Sequence, residues 1–483
     1  MCFNSLLFGL LHISLFVVLS AHPRWVWTAV LESPEPVNSL ATGLPSTFCE
    51  AVELEHGMNK KNKNSRTSIK IVSLLATAIA LASTGAQAEF LKDSKATLTF
   101  RNFYINRNFV GDNANRSKAE EWTQNFILDF KSGYTEGAVG FGLDILALQS
   151  YKLDGGKGTG GTQLLPLDSN GRPAKEFGRL GVAGKMKFSN TELKVGEWAM
   201  IYPVLRSDDG RSLPQTFRGT VLTTKEISGV TGYFGHVTGN SPRDDGSMEK
   251  MALFGTNPRT SSADSDDFDF AGVEYNFNNK LTTFGAWYAR LDDVYKQRYF
   301  QIQHKQILSE GMSLNANIGY FDGEDDGKAL SGKLDNKVLS GLFWLTSGNH
   351  KFYLGLQRVS GDTKWLRVNG TSGGTLANDG YNSSHDNARE RSWQLRYDYD
   401  FAGLNIPGLT FMMRYLQGHN IHINGKTDGE EWNRESELAY VIQSGTLKNM
   451  AFRWRNTTIH RNFGTNNQFD EQRLIVSYSL SLF

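Results

Sequence analysis

Between Met450 and Thr458, Arg453 and Arg455 alternate with Phe452 and Trp454. Guanidinium groups stay charged at any relevant pH and grip carboxylates through paired N–H donors, so a row of them can pass an organic acid from site to site. The alternation also dictates what must carry them. Successive side chains of an extended chain point to opposite sides of a sheet, so this segment is a β-strand with one aromatic and one cationic face. A soluble sheet would bury the aromatics and leave the arginines in water. A membrane barrel turns the aromatics to lipid and the arginines to an aqueous lumen.

The same two-residue period recurs along the chain. Val139, Phe141, Leu143 and Ile145 form one apolar stripe; Trp393, Leu395, Tyr397, Tyr399 and Phe401 form another, opposite Gln394, Arg396, Asp398 and Asp400. Leu409, Phe411, Met413 and Tyr415 face away from Arg414. No comparable helical period follows Ala88. Many of these windows run about nine to eleven residues, the length a tilted strand needs to cross a bilayer, whereas soluble strands average about five or six. The connections come in two sizes: tight ones such as Asn278-Asn279, and long polar ones such as Lys152 to Arg179, Leu205 to Arg218, Asn240 to Asp267 and Asp362 to Arg389. The expected fold is therefore all-β, a transmembrane antiparallel β-barrel with short turns at one end and long loops at the other. Closure removes the edges that an open sheet of this length would have to protect.

Composition agrees. Among 483 residues, 39% are hydrophobic, 12% are aromatic, 49 are glycine and only 11 are proline. Mean hydropathy is negative, which excludes a bundle of membrane helices but not a barrel, whose strands need apolar residues only at alternate positions. A net charge of +1 argues against nucleic acid as a partner. The only cysteines, Cys2 and Cys49, leave the remainder without a disulfide framework or a thiolate metal site.

The front of the chain reads as a targeting region. Met58 opens a basic stretch, Ile71 to Ala82 is an apolar run too short to span a bilayer, and Ala86-Gln87-Ala88 is a small-x-small cleavage site. Residues 58–88 are expected to be a signal peptide. Residues 1–57, upstream of a complete leader, are expected to be a non-native extension, leaving 89–483 as a single barrel domain. The terminal Phe483 has the aromatic character expected of a bacterial outer-membrane barrel, although its parity is that of Ser477, Ser479 and Ser481 rather than of the stripe Leu474 to Leu482.

Several motifs resemble the OprD family of outer-membrane channels. They are Arg101-Asn-Phe-Tyr-Ile-Asn-Arg107, Gly140-Phe-Gly-Leu-Asp144 with Lys152-Leu-Asp-Gly155, Leu193-Lys-Val-Gly-Glu197, Pro214-Gln-Thr216, Trp393-Gln-Leu-Arg-Tyr-Asp398, Pro407-Gly-Leu-Thr-Phe411 with Arg414-Tyr415, and Val441-Ile-Gln-Ser-Gly445, spread in order over 89–483. The resemblance implies a monomer or weak homotrimer of eighteen-stranded barrels in outer-membrane lipid. It implies uptake of small carboxylate solutes along a ladder of basic residues, with no cofactor or metal. Of the family's two branches, basic amino acids or aromatic and cyclic carboxylates, the second is the closer match.

An arginine facing lipid at mid-membrane costs about 2 to 4 kcal/mol, so those opposite the lipid stripes belong inside or at a rim. By parity these are Arg101, Arg107, Arg396, Arg414, Arg453, Arg455 and Arg473. Arg396 shares its face with Asp398 and Asp400 and could close a wall ion pair or meet substrate; Arg473, opening the last strand, reads as a rim residue. Arg453 and Arg455 have no acid nearby on their own face. A barrel of this size is wide unless loops fold inward, and the expected constriction is Gly155 to Phe177 with Arg206 to Arg218, carrying Asp208, Asp209, Arg211 and Arg218. Arg218, beside Pro214-Gln-Thr216, is the foremost substrate contact in that loop. Two other classes compete. A barrel hydrolase would need a placed nucleophile, for which the scattered histidines give no pattern, and an adhesin or receptor would use the barrel only as an anchor with a closed pore.

Overall fold

The computed structural model describes residues 92–112 and 114–483; the expected extension and signal peptide lie outside the described residues. Eighteen strands form the wall. They are β1 (Lys95–Val110), β2 (Lys118–Lys131), β3 (Val139–Asp154), β4 (Glu176–Phe188), β5 (Thr191–Trp198), β6 (Thr216–Thr224), β7 (Val230–Ser241), β8 (Phe268–Phe277) and β9 (Thr282–Leu291). The second half comprises β10 (Tyr295–Ser309), β11 (Met312–Asp325), β12 (Asp335–Ser347), β13 (His350–Ser360), β14 (Arg391–Asp400), β15 (Leu409–Ile423), β16 (Lys426–Val441), β17 (Ala451–Arg461) and β18 (Gln468–Ser481). Each pairs antiparallel with the next, and β18 returns to β1 with Arg101 opposite Ser477, so the sheet has no edge.

Side-chain alternation falls as the stripes require. Phe141, Leu395, Met413, Phe452, Trp454 and Leu474 are exposed on the outer surface. Beyond the last strand Phe483 packs edge-on against Phe130 of β2, at 6.2 Å between ring centroids. The strands are longer than the windows suggested: β1, β3 and β16 each run for 16 residues, beyond the roughly nine to eleven that hydrocarbon demands. Polar residues extend these strands past the bilayer, and hydropathic alternation does not register that extension. The long connections, 155–175, 199–215, 242–267 and 361–390, all leave from one end, and both ends of the described chain lie at the other. Long loops of such barrels are extracellular and short turns periplasmic.

The lumen is divided chemically. On the side of β6 to β13 the inward residues are apolar, including Phe217, Val237, Phe270, Trp287, Tyr299, Phe321 and Val359, all buried. Onto this half-wall fold Met200, Val204 and Leu205 of 199–215, Met251 of 242–267, and Trp365, Leu366, Val368 and Leu376 of 361–390. Each such side chain contributes roughly 1.5 to 3 kcal/mol on leaving water. The loops therefore fill this half and leave open the opposite wall, β14 to β18 with β1. Two inward glycines give the aromatics flat seats: a Cβ at Gly235 would overlap the Phe270 ring, and one at Gly272 the Trp287 indole.

Gly272→Val should push Trp287 off its seat and destabilise the barrel by about 1 to 3 kcal/mol. The expected sign is a lower temperature for loss of compact gel mobility on heating in detergent; an unchanged transition would refute the seating.

Candidate functional site

The open side of the lumen is a wall of rows set by strand register. Glu471 of β18 lies opposite Arg107 of β1. One row below, Arg455 of β17 lies opposite Arg473 of β18, which lies opposite Ile105. The next row is Arg453, Ile475 and Phe103, and the next Ala451, Ser477 and Arg101. Same-face neighbours along a strand are about 7 Å apart, so these arginines descend the wall in steps of that size.

Glutamates from neighbouring strands hold them. Glu437 of β16 meets Arg455 at 2.5 Å and Arg453 at 3.3 Å. Glu471 meets Arg107 at 2.7 Å and Arg473 at 2.6 Å. Glu435 meets Arg414 at 2.6 Å, and Glu431 meets Arg461 at 2.7 Å. A carboxylate serving two guanidiniums cancels only one charge, so Glu437 and Glu471 fix the geometry and leave the wall positive.

The loops complete the site. Tyr381 of 361–390 places its ring against three guanidiniums, 4.4 Å from Arg455, 4.9 Å from Arg414 and 5.5 Å from Arg473. Its hydroxyl donates to Glu437 at 3.1 Å and its backbone N–H to Glu435 at 2.8 Å. From 199–215, Asp209 accepts two bonds from Arg101, at 2.7 and 3.1 Å, and Asp208 pairs with Arg243 at 2.5 Å. Asp208 is held below its usual range: burial opposes this, but the Arg243 charge and the Gly210 N–H outweigh it. Arg211 is buried, with Nε donating to the Thr162 carbonyl at 2.9 Å and Nη1 to the Gly210 carbonyl at 2.8 Å. Among the described residues no carboxylate lies within ion-pair distance of Arg211.

Together these groups line a cavity of about 490 Å³ carrying six arginines (Arg101, Arg211, Arg243, Arg453, Arg455 and Arg473) and three aspartates (Asp208, Asp209 and Asp379), with the hydroxyls of Thr99, Ser372, Ser477 and Ser479. Of the positions singled out from sequence, Arg101, Arg453, Arg455, Arg473, Asp208, Asp209 and Arg211 meet here. Arg107 and Arg414 do not line it and are held in ion pairs with the buried Glu471 and Glu435. Arg396 closes a wall pair with Asp398 at 2.7 Å. Arg218 lies in β6 with the exterior parity of Leu222, 57% exposed and 3.9 Å from Glu197, so it is not in the constriction. Its placement there ran the loop past Thr216, where the strand begins and reverses side-chain direction at each residue.

Other expectations need correcting. Arg473 is no rim residue but one of the largest fully buried side chains. Arg453 and Arg455 do have an acid, Glu437, supplied by the adjacent strand. Loop 155–175 does not line the cavity; its Leu164 and Leu165 pack with Leu213 and Phe103 beneath 199–215. Tyr381, Asp379, Arg243, Glu435, Glu437 and Glu471 went unread. Glu431, Glu435 and Glu437 share one face of a strand whose opposite face carries Trp432, Leu438 and Tyr440, which is a legible signal. Nothing local marks Tyr381.

Loop 361–390 is latched at His385. Nδ1 lies 2.9 Å from Glu390 and Nε2 lies 2.9 Å from the Asn433 side-chain oxygen, whose amide nitrogen donates to Glu435. Both ring nitrogens thus face acceptors, and Glu431 is 3.6 Å from Nδ1. Burial alone would lower the imidazole, but Glu431 and Glu390 prevail and push it up to about 9.

An eighteen-stranded transmembrane barrel with loops folded into a cationic lumen defines an outer-membrane channel, a porin selective for small acids rather than an enzyme. The chain belongs to the OprD family: residues 88–482 match the model described as outer membrane porin, OprD family. It is 56% identical over 417 residues to the porin-like protein GalP of Pseudomonas putida, covering 86% of this chain and 99% of that one. It is similar to the crystal structure of a BenF-like porin from Pseudomonas fluorescens Pf-5, at 58% identity and TM-score 0.79, covering 81% of this chain and all (100%) of that one. It is similar also to Pseudomonas aeruginosa OccK2 (OpdF) in complex with glucuronate, at 57% identity and TM-score 0.75, covering 82% and 100%.

Because the folded His385 pKa lies above its free value of 6.5, the imidazolium's contribution is complete below that value and is lost as pH rises through about 9. Tryptic cleavage within 361–390 should accelerate between pH 8 and pH 10 by roughly tenfold or more in the intact barrel, about 1.4 kcal/mol of latch. His385→Gln should cleave fast already at pH 7. Equal cleavage rates of the two proteins at pH 7 would remove the latch from consideration.

Proposed function

We propose that the solutes of this channel are small cyclic carboxylates bearing hydroxyl groups, and that Arg211, Arg453, Arg455, Arg473 and Arg101 conduct them. Arg211 carries the reading. A buried guanidinium without a carboxylate is costly, and a solute carboxylate crossing the cavity supplies the missing charge. Lining the same cavity, Arg453 and Arg455 compete for one glutamate, so either can release it and take the passing anion. Arg453 and Arg455 lie about 7 Å apart along β17 and share one counter-charge, while Arg101 keeps Asp209 to itself, so the wall offers several moderate sites rather than one tight one, which conduction requires.

Hydroxyls of Thr99, Ser372, Ser477 and Ser479 and the carboxylates of Asp208 and Asp209 suit a solute with hydroxyl groups. The glucuronate complex of the OccK2 relative supports this choice within the cyclic-carboxylate class. Arg107, Arg396 and Arg414, expected from parity to bind substrate, serve in this reading to hold the wall, and Arg218 has no part in conduction. The mature chain begins at Glu89, a reading supported by the start of the family match at residue 88, and it works as a monomer or weak homotrimer.

Arg453→Ala with Arg455→Ala should lower glucuronate uptake in liposome swelling by roughly tenfold while sucrose entry is kept or increased, and should shift the bilayer reversal potential toward cations. Unchanged glucuronate uptake and unchanged ion preference would overturn the assignment of the ladder.

A further inference from the structure

On the outer surface, at the loop end of β13 and β14, Arg358 lies directly opposite Arg391. Both are exposed, and neither guanidinium enters a hydrogen bond or ion pair among the described residues. Like charges facing each other across an antiparallel pair, with Cβ atoms about 4.5 to 5.5 Å apart, repel and destabilise the sheet. Elsewhere on this rim cations find acids: Arg290 meets Asp269 at 3.5 Å, and Lys296 meets Glu324 at 3.4 Å. The Arg358 and Arg391 pair lacks that answer; Lys337 of β12, opposite Ser360 and diagonal to Arg358, is a third exposed cation, with Asp322 of β11 opposite it on its far side.

Their height on the wall identifies what could answer it. One row below, Leu356 lies opposite Trp393, and below that Leu354 opposite Leu395, with Leu356, Leu354 and Leu395 exposed to lipid. The guanidiniums therefore stand at the upper edge of the apolar band, one row (about 7 Å) above Leu356 and Trp393 and level with the exposed Leu339 of β12, at headgroup level on the extracellular side. We propose that Arg358 and Arg391 clamp the phosphate of an outer-leaflet lipid, with Lys337 beside them and the acyl chains lying along Leu356, Trp393, Leu354 and Leu395. Two guanidinium forks on adjacent strands can hold one phosphate, and the anion turns the cross-strand repulsion into a bridge. A soluble anion would gain the charge contact but not the apolar rows beneath it.

The test uses the folded barrel in zwitterionic detergent, titrated calorimetrically with bisphosphorylated lipid A, with dephosphorylated lipid A of the same acyl chains, and with inorganic phosphate. Phosphorylated lipid A should bind, and Arg358→Ala with Arg391→Ala should weaken it by ten- to a hundredfold without changing glucuronate conductance. Arg358→Glu separates this site from ordinary structure: it replaces a repelling pair by an attracting one, so it should raise the lipid-free unfolding temperature while lipid A binding is lost. Equal binding of the two lipids, equal binding by wild type and the double variant, or inorganic phosphate binding as tightly as lipid A would each overturn the clamp.

Discussion

A glutamate shared between two arginines is the constraint on which this channel rests. Glu437 lies between Arg453 and Arg455, and Glu471 between Arg107 and Arg473. With no acid the arginines would repel one another, and with one acid each they would be neutral pairs indifferent to solutes. Sharing fixes the side chains and leaves surplus charge for a passing anion. Removing one partner of a pair as buried as Glu471 and Arg473 costs about 3 to 5 kcal/mol, so that acid is as necessary to the pore as its base.

The loops obey the same constraint from the other side. Loop 361–390 is drawn to the apolar half-wall by Trp365, Leu366 and Val368, and to the charged wall by Tyr381 and His385. It therefore bridges the lumen instead of waving above it. The bore that remains is polar along the arginines and closed elsewhere, which is why a barrel wide enough to be a general channel can select among solutes. Loop 199–215 narrows it further, since Asp209 is tied to Arg101 and Asp208 to Arg243.

Much of the wall was legible from sequence because parity is a rigid geometric rule. Phe452 outside fixes Arg453 inside, whatever the rest of the chain does, and the same holds for Arg101 and Arg455. Registers between strands are not local, so the pairing of Arg455 with Glu437 could not be read, nor the burial of Arg473. Loop contacts were less legible again: Tyr381 reaches Arg455 across a long separation in sequence, and no period in 361–390 marks it. Arg218 shows the failure most plainly. A boundary misplaced by a few residues moved an outward side chain of β6 into the pore, because each residue of a strand reverses the direction.

The division of the lumen also bears on how selectivity and speed coexist. A ring of charge on all sides would hold an anion from every direction, and release would be slow. Here the wall of β17, β18 and β1 carries Arg453, Arg455, Arg473 and Arg101 with Tyr381 stacked against it, and the loops add Arg211 and Arg243 beside the tied aspartates. In the proposed reading a solute carboxylate follows this track of guanidiniums, and its hydroxyls face Ser372 and the threonine and serines of β1 and β18. In that reading, movement between Arg453 and Arg455 needs only the exchange of one guanidinium for the next, both already partly satisfied by the shared Glu437. The energy lost on leaving one arginine is offset as its glutamate closes back on it, so the wall smooths the path that it defines.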